Sequence, residues 1–405
     1  MSTLLGVANR LNADAENILV RISGPDRPGI TAGLMERLAV ADAGVQDIEQ
    51  ITIRGQLNLS LVITVPAGHD LIKELLLFGW EEQIEIDFEV VDAGTPPRAL
   101  GLVVTVLGDE IKPQEIGAVA GVVTNHNGNI ARIVRLAKFP VMAYELLITG
   151  GNLELIREAL LAIAHDLRCD IAVQREGLGT RAARLIVLDV DSTLIQNEII
   201  DLVAEEAGCA EEVKAITARA MAGELDFATS LEARVKLLNG LDVSGLERAA
   251  ARVQLTPGAR TFVRTLKRLG FRTAIVSGGF TAVTSRLADE LGIDHAYANT
   301  LEIVDGKLTG RVVGQIIDRE AKAVILRKIA GEENIPLSQV VAVGDGANDL
   351  DMLNVAGLGI AFNAKQVVRE AADASVNVPY LDAVLFVLGV RREAIEAADA
   401  ADAAG

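Results

Sequence analysis

Two aspartates that follow a short apolar stretch are the residues with the clearest chemical potential in this sequence. Four consecutive apolar residues, Leu185–Leu188, lead directly into Asp189 and Asp191, with Ser192 and Thr193 next. A continuous apolar run of this length is typical of a central parallel strand, and ligands bind at the carboxyl ends of such strands. Two carboxylates placed there need a cation to balance their charge. An aspartate in this position can also simply cap a helix.

A second apolar stretch ends in a similar group of polar residues. Val340–Val343 is followed by Gly-Asp-Gly-Ala-Asn-Asp, which contains Asp345, Asn348 and Asp349. Carboxylates collected at the end of a second strand suit a hard divalent cation such as Mg²⁺. The same letters also fit a turn followed by a helix cap.

A third strand end has the composition of an anion site. Arg272–Val276 reads as a strand that runs into Ser277, Gly278 and Gly279, with a helix from about Thr281. A hydroxyl group and glycine N–H groups at the start of a helix suit phosphate. Taken alone, this pattern is also that of an ordinary strand-to-helix turn.

A lysine lies on the apolar face of a predicted helix that begins near Arg319. Lys322 shares that face with Ile325, Leu326 and Ile329, which follow it at helical spacing. Its side chain therefore either extends to solvent or meets a buried anion.

The long interval between the first and third strand ends predicts an insertion. Asp189 and Ser277 are 88 positions apart, and residues 197–252 read as several helices. One of these helices carries Arg234 on an apolar stripe formed by Phe227, Leu231, Val235 and Leu238. An arginine on such a stripe needs a carboxylate or phosphate partner, which a salt bridge within the protein would also supply.

The chain before these motifs reads as two copies of one unit with the order βαββαβ, a ferredoxin-like arrangement. The first copy has strands at Ile18–Ser23, Val45–Ile53, Leu57–Val65 and Ile84–Val91, and helices at Ile30–Ala41 and His69–Phe78. The second has strands at Gly101–Leu107, Asn129–Ala137, Val141–Thr149 and Asp170–Gln174, and helices at Gln114–Asn125 and Leu153–Asp166. We interpret residues 17–93 and 98–175 as an internal duplication, with a joint at 94–97 and a linker at 175–183.

Composition narrows the classes of partner and compartment. Half of the residues are hydrophobic and the formal net charge is −18, which argues against a nucleic acid or an anionic membrane as partner. The two cysteines, Cys169 and Cys209, have no metal-ligand spacing, and we expect them to serve packing in a reducing cytoplasm. No apolar run approaches the length of a membrane span. Residues 391–405 are rich in Ala and Asp, and read as a frayed helix or a disordered tail.

Taken together, the motifs resemble the haloacid dehalogenase superfamily of phosphohydrolases over roughly residues 184–390. The order Asp-x-Asp-Ser-Thr, Ser-Gly-Gly, Lys, Gly-Asp-x-x-x-Asp carries this resemblance. NEIIDLVAEEAG, MAGELDFATSLEARV and VSGGF are similar to the phosphoserine phosphatases within it. The two N-terminal units resemble ACT domains, with GPDRPGI as the loop before the first helix. The resemblance implies an α/β protein: a Rossmann-like parallel sheet with an inserted helical cap at about 197–255, preceded by two α+β domains.

The resemblance also assigns roles in phosphoryl transfer. It implies Asp189 as the nucleophile that forms an aspartyl-phosphate, and Asp191 as the general acid and then base. Mg²⁺ would be held by Asp189, by the backbone carbonyl of Asp191 and by Asp345, with Asp349 in the outer shell or fixing the lysine. The groups expected to bind or orient the phosphoryl oxygens are Ser277, Gly278, Lys322 and Asn348.

For the substrate, the resemblance implies O-phospho-L-serine and the last step of serine biosynthesis. Glu198 would bind the ammonium group and Arg234 the carboxylate, with Met221 and Phe227 closing over them. From the residues alone, Glu198 could equally be a helix carboxylate in a first turn. Another phospho-amino acid remains an alternative substrate.

The ACT-like units imply regulation by an amino acid, expected to be serine, and a homodimer. Asp26 and Gly29 would lie near the effector, whereas a helix start without a ligand is the alternative. The second unit has Pro113-Gln114 where the first has Pro28-Gly29, which leaves its ligand site open. An amino-acid sensor with an inactive phosphatase domain is a further alternative, although the intact acidic motifs argue against it. A glycosyltransferase with a metal-binding Asp-x-Asp would leave the second acidic motif unexplained.

Overall fold

The computed structural model describes residues 16–65, 70–91, 101–164, 166–177 and 184–404. The chain divides into two compact units, residues 1–98 and 99–405, which are described in turn. The expected joint at 94–97 and most of the expected linker, 178–183, lie outside the described residues.

The first unit is a four-stranded antiparallel sheet with two helices. Its elements are β1 (Glu16–Pro25), α1 (Ile30–Val40), β2 (Gly44–Ile53), β3 (Gln56–Val65), α2 (Leu71–Glu82) and β4 (Glu85–Val91), and the strand order is β2-β3-β1-β4. This is the predicted βαββαβ order. The predicted end of the second helix at Phe78 is wrong, because the helix continues for another turn and ends where Gln83 adopts a left-handed conformation, with φ of 53°.

The second unit begins with the same fold. It contains β5 (Leu102–Gly108), α3 (Pro113–Asn125), β6 (Gly128–Ala137), β7 (Met142–Gly150), α4 (Leu153–Ala164) and β8 (Asp170–Arg175). The strand order β8-β5-β7-β6 is the same arrangement as in the first unit, which agrees with the predicted duplication.

A mostly parallel sheet forms the rest of the second unit. Its strands are β9 (Leu185–Leu188), β10 (Arg272–Phe280), β11 (His295–Val304), β12 (Lys307–Val313), β13 (Val340–Gly344), β14 (Leu358–Phe362) and β15 (Ala374–Val376). The order is β12-β11-β10-β9-β13-β14-β15, and only the pair formed by β11 and β12 is antiparallel within this set. The predicted α/β architecture is confirmed.

Helices cover this sheet and form an insertion after β9. The helices outside the insertion are α9 (Ala259–Arg268), α10 (Thr281–Leu291), α11 (Arg319–Glu332), α12 (Leu350–Val355), α13 (Gln366–Ala371), α14 (Val384–Val387) and α15 (Arg392–Ala404). The insertion contains α5 (Ile199–Ala207), α6 (Ala210–Met221), α7 (Phe227–Leu237) and α8 (Val243–Ala251). The sequence predicted several helices in residues 197–252, and these four lie there.

The position of β9 explains why the site forms beside it. It lies between β10 and β13, and all four of its side chains are fully buried. The parallel strands on both sides deliver their own carboxyl ends to the same edge. The predicted end of β10 at Val276 is too early, since the strand continues irregularly to Phe280.

The parallel sheet also continues into the second ferredoxin-like fold, which the sequence did not indicate. Strand β15 pairs with β8 through Ala374 and Ala172. The buried Asp170 accepts hydrogen bonds from the backbone N–H of Asn377 at 2.6 Å and from its Nδ2 at 2.5 Å. One sheet of eleven strands therefore runs through this unit.

The C-terminal residues form a helix, so the helical alternative for the tail is the one observed. In α15, Ile395 is buried and Asp399 pairs with Arg264 and Arg268. Cys169 and Cys209 are both buried and free, which fits a packing role. Within the described ranges, no helix combines the length and the apolar character that crossing a bilayer demands.

Candidate active site

The first aspartate of the β9 motif lies in a buried ion network. Asp189 is 2% exposed, and Lys322 Nζ lies 2.6 Å from its Oδ1 and 2.6 Å from Asp349 Oδ1. Lys322 is 1% exposed, so of its two expected arrangements the structure has the one that meets buried anions. Helix α11 brings the lysine to this position because its apolar face, with Leu326 and Ile329, packs inward.

Burial controls the protonation of this network. It raises the pKa of Asp189 well above the ordinary value, and the neighbouring Asp349 raises it further while Lys322 opposes the shift. Burial lowers the pKa of Lys322, but the two carboxylates outweigh that effect and raise it overall. The lysine is therefore a fixed positive charge between two acidic groups.

The second aspartate of the motif connects the sheet to the insertion. A tight turn at Val190–Leu194 follows β9, and in it Ser192 adopts a left-handed conformation with φ of 58°. Asp191 Oδ1 accepts a hydrogen bond from the backbone N–H of Ile199 at 2.6 Å, and Oδ2 accepts one from Ser277 Oγ at 2.8 Å. Burial raises the pKa of Asp191, although these hydrogen bonds oppose the shift.

Part of the loop that was expected to bind an anion forms hydrogen bonds within the protein. The backbone N–H of Gly279 donates to Ser277 Oγ at 2.7 Å, so this N–H is already paired with the hydroxyl group. Asn299 fixes the same loop from β11, because its Nδ2 donates to the carbonyl of Gly278 at 2.8 Å. Asn299 Oδ1 also accepts from Ile317 N, just before α11.

The end of β13 places the second acidic motif beside the first. Asn348 and Asp349 lie in a short 3₁₀ turn, and Asp349 Oδ2 accepts a hydrogen bond from Gly346 N at 3.0 Å. A Cβ atom at Gly344 would lie 2.5 Å from Asp349 Cγ, so only glycine allows this approach.

Three carboxylates at these strand ends could hold a metal ion. One ligand atom from each of Asp189, Asp345 and Asp349 lies within 4.8 Å of the others. Burial raises the pKa of Asp345 to about 6, and Asp349 adds to the shift. An all-oxygen, acidic donor set fits a hard divalent cation. Both oxygens of Asp349 already accept hydrogen bonds, which favours the outer position expected for it.

The acidic strand ends open into a cavity of about 610 Å³ whose far wall is the helical insertion. Asp189, Asp191 and Asp345 lie on one side. The structure brings the following expected residues to the same cavity: Glu198, Phe227, Arg234, Gly278 and Asn348. The backbone of Met221 lies at the end of α6, but its side chain is outside the described part.

Two opposite charges lie on the wall of this cavity. Glu198 is exposed towards the cavity, and its Oε1 accepts a hydrogen bond from Ser192 Oγ at 3.0 Å. Partial desolvation together with Asp191 raises the pKa of Glu198 to about 7. Arg234 Nε donates to the carbonyl of Ser230 at 3.2 Å, and burial lowers the pKa of the arginine. No ion pair joins Glu198 to Arg234 among the residues that the structure describes.

Sequence reasoning missed several residues of the site. Lys365, Asp201 and Ser230 also line the cavity. Asn299 holds the loop after Val276 through its hydrogen bond to the carbonyl of Gly278. Ser230 could have been found, because it lies three residues after Phe227 and four before Arg234 on the same helix face. Asn299 lies within β11, a strand without any recognisable motif, so nothing in the local sequence indicates its role.

The expected effector residues lie in the first unit. Asp26 Oδ2 accepts a hydrogen bond from Thr52 Oγ1 at 3.0 Å, and Gly29 has φ of 101° directly before α1. The left-handed conformation explains the glycine, since other residues rarely adopt it.

Models of known domain families match three segments of the chain. The haloacid dehalogenase-like hydrolase family matches residues 186–354. ACT domain families match residues 16–89 and 101–174.

The chain is similar to curated proteins along nearly its whole length. It is 53% identical over 391 residues to a phosphoserine phosphatase of Streptomyces coelicolor, covering 96% of this chain and 95% of the relative. It is 45% identical to a phosphoserine phosphatase of Mycobacterium tuberculosis, covering 95% and 96%.

Solved structures show similar folds over most of the chain. A haloacid dehalogenase family hydrolase of Salmonella enterica matches with a TM-score of 0.61 and 30% identity, covering 71% of this chain and 98% of that one. A probable phosphoserine phosphatase of Vibrio cholerae matches with a TM-score of 0.56 and 35% identity, covering 71% and 86%.

Proposed function

The chain belongs to the phosphoserine phosphatases of the haloacid dehalogenase-like hydrolases and carries two ACT domains, and on that premise we propose that it hydrolyses O-phospho-L-serine to L-serine and phosphate. The observation that supports this substrate most directly is the pair of opposite charges, Glu198 and Arg234, in the cavity that holds Asp189. In a substrate with an ammonium group, a carboxylate and a phosphate, the ammonium group would pair with Glu198, the carboxylate with Arg234, and the phosphate would lie at Asp189.

Asp189 is the nucleophile in this proposal. One of its carboxylate oxygens attacks phosphorus, the bond from phosphorus to the serine oxygen breaks, and an aspartyl-phosphate forms. The buried Lys322 keeps the attacking group in place and offsets negative charge during the transfer. Water then attacks the same phosphorus and releases phosphate and the free carboxylate.

Asp191 transfers the protons. In the first step it donates a proton to the departing serine oxygen, and in the second it accepts a proton from the attacking water. Burial raises its pKa, although its hydrogen bonds oppose the shift. The hydrogen bonds from Ile199 N and Ser277 Oγ hold both of its oxygens in fixed positions.

The phosphoryl oxygens are bound by Ser277, Gly278 and Lys322, and Asn348 orients them. Stabilising the negative charge on these oxygens accounts for most of the catalysis in phosphoryl transfer. Asn299 supports this function by fixing the peptide after Gly278.

We assign the acidic cluster to Mg²⁺. Asp189 and Asp345 would be its side-chain ligands and the backbone carbonyl of Asp191 a third, with Asp349 in the outer shell holding Lys322. When bound, the ion supplies positive charge that lowers the repulsion between the carboxylates and the phosphate.

Substrate selection falls to the insertion, the helical cap. Glu198 binds the ammonium group of serine, Arg234 binds its carboxylate, and Met221 and Phe227 close over the amino acid. Closure excludes water from the phosphate and makes the reaction depend on binding of the correct substrate.

The ACT domains serve regulation in this proposal. An amino acid, serine as the product, binds near Asp26 and Gly29 of the first domain and adjusts the activity. The enzyme acts as a homodimer in the cytoplasm, at the last step of serine biosynthesis.

The direct test is phosphate release from a panel of phospho-amino acids, measured with Mg²⁺ and with a chelator, and with and without free serine. We expect Mg²⁺-dependent release that is fastest with phosphoserine and is altered by serine. Absence of Mg²⁺-dependent release from every member would contradict the proposed function. Faster release from phosphothreonine would instead assign a different phospho-amino acid.

A further inference from the structure

A buried hydroxyl group on the wall of the cavity has no partner. Ser230 is 1% exposed, and its Oγ forms no hydrogen bond within the described part of the chain. A buried polar group that lacks a hydrogen bond costs free energy, so each such group calls for an explanation. Ser230 lines the cavity that contains Asp189, which offers one.

The neighbours of Ser230 indicate what could bind there. It lies in α7, one turn after Phe227 and one turn before Arg234, and all three residues line the cavity. The carbonyl of Ser230 accepts the hydrogen bond from Arg234 Nε at 3.2 Å. The hydroxyl group and the guanidinium group therefore belong to successive turns of one helix that lines the cavity.

Other unpartnered hydroxyl groups provide a contrast. Thr265 on α9 and Thr284 on α10 are also buried and lack hydrogen bonds in the described structure, but neither lines this cavity. Their hydroxyl groups lie on helices that pack against the sheet. Ser230 differs in combining the missing partner with a position beside a cation in the substrate cavity.

We propose that Ser230 determines specificity by donating a hydrogen bond from Oγ to the carboxylate of the substrate, alongside Arg234. This inference rests on the proposed function and extends it. A carboxylate has two oxygens and about four acceptor positions, so one group can accept from the arginine and from the hydroxyl at the same time. Oγ forms no hydrogen bond within the described protein, and the substrate carboxylate would supply its acceptor.

The test compares two substrates and two variants. Phosphoserine and phosphoethanolamine share the phosphate and the amine, but only phosphoserine has a carboxylate. For Ser230→Ala we expect kcat/KM with phosphoserine to fall about 10-fold or more, mainly through KM, because a hydrogen bond to a charged group is lost. With phosphoethanolamine, kcat/KM should stay within about twofold, and the melting temperature of the free enzyme should not fall.

Thr284→Val is the matched control, since it also removes a buried unpartnered hydroxyl group. It should leave both substrates unaffected. Ser230→Cys, which is slightly larger and is a weak donor, should reproduce the alanine result and serves if the alanine variant folds poorly. An equal loss on both substrates, or no loss with phosphoserine, would overturn the role of Ser230 while the wild-type activity stands. Wild-type enzyme that does not hydrolyse phosphoserine would overturn the proposed function and this role together.

Discussion

The two sides of the catalytic cavity differ in how their charged groups are paired. On the floor, at the strand ends, charged groups bind one another: Lys322 contacts both Asp189 and Asp349 in nearly complete burial. On the wall, in the helical cap, Glu198 and Arg234 face the same space with no ion pair between them in the described structure.

The difference separates chemistry from selection. Groups on the floor are held by the protein before any ligand arrives, so a substitution there should damage both the fold and the reaction. Glu198 and Arg234 on the wall form no ion pair with each other in the described structure. A substitution there should therefore damage recognition and leave the fold intact. Four variants test this contrast, the first with the largest expected effect, and a fifth provides a reference outside the cavity.

Asp189→Asn should abolish turnover. The amide cannot attack phosphorus, so no aspartyl-phosphate forms and phosphate release should fall to the background rate for every substrate. The measurement is phosphate release over long incubation with phosphoserine and with a small phosphate ester. Asp289→Asn, on the exposed face of α10, is the control and should retain full activity. Appreciable turnover by the Asp189 variant would assign the nucleophile elsewhere.

Lys322→Met should destabilise the protein by about 3–5 kcal/mol, because it leaves two buried carboxylates without their cation. Urea unfolding at pH 7 with a chelator present gives the free energy of unfolding. Lys328→Met is the control on the same helix, since Lys328 is exposed and lies 3.9 Å from Glu332. That variant should lose less than about 1 kcal/mol. Equal losses would mean that the floor is not held by its own ion network.

Much of the floor was predictable from sequence, because strand ends in a parallel sheet meet at one edge. Asp189, Ser277 and Asp345 each follow an apolar stretch, and the spacing of Lys322 placed it on the inward face of its helix. What could not be predicted was the hydrogen bonding, such as the contact from Gly279 N to Ser277 Oγ. Those contacts depend on the irregular course of β10 after Val276.

The wall and the outer parts of the fold were less accessible to sequence reasoning. Arg234 stood out as a charge on an apolar stripe. Ser230 was missed, although its spacing from Phe227 and Arg234 places it on the same helix face. The pairing of β15 with β8 depends on two short strands that are far apart in the chain. Local patterns carry no information about such contacts.

Glu198→Gln should lower kcat/KM with phosphoserine by about tenfold and leave stability nearly unchanged, because it removes one charge-assisted contact from the wall. A matched substrate is 3-phosphoglycerate, which has a hydroxyl group where phosphoserine has the ammonium group. The variant should discriminate less between the two than the wild-type enzyme does. Unchanged discrimination would remove Glu198 from recognition of the ammonium group.

Asp170 provides a reference for a buried carboxylate whose hydrogen bonds come from an asparagine rather than from a cation. Burial raises its pKa to about 6 from the ordinary value near 3.8, although Asn377 opposes the shift. The folded state therefore holds the proton more tightly than the unfolded state. This contribution to stability is present below about pH 4 and is lost as the pH rises to about 6, a change of about 2–3 kcal/mol.

Asp170→Asn should remove that part of the pH dependence. Unfolding free energies of both proteins at several values between pH 4 and pH 7 give the comparison. The curve of the variant should be flatter over that interval, even though its stability is lower overall because one acceptor for Asn377 is lost. Parallel curves would mean that Asp170 is ionised in the folded protein throughout.

Arg234→Ala tests the division between floor and wall most directly. The measurement is the ratio of kcat/KM for phosphoserine to kcat/KM for a small phosphate ester without an amino acid, in the variant and in the wild-type enzyme. The ratio should fall by about 100-fold, since a charge-assisted contact to the carboxylate is lost while the floor still performs the chemistry on the small ester. An unchanged ratio, with equal losses on both substrates, would contradict the assignment of selection to the cap.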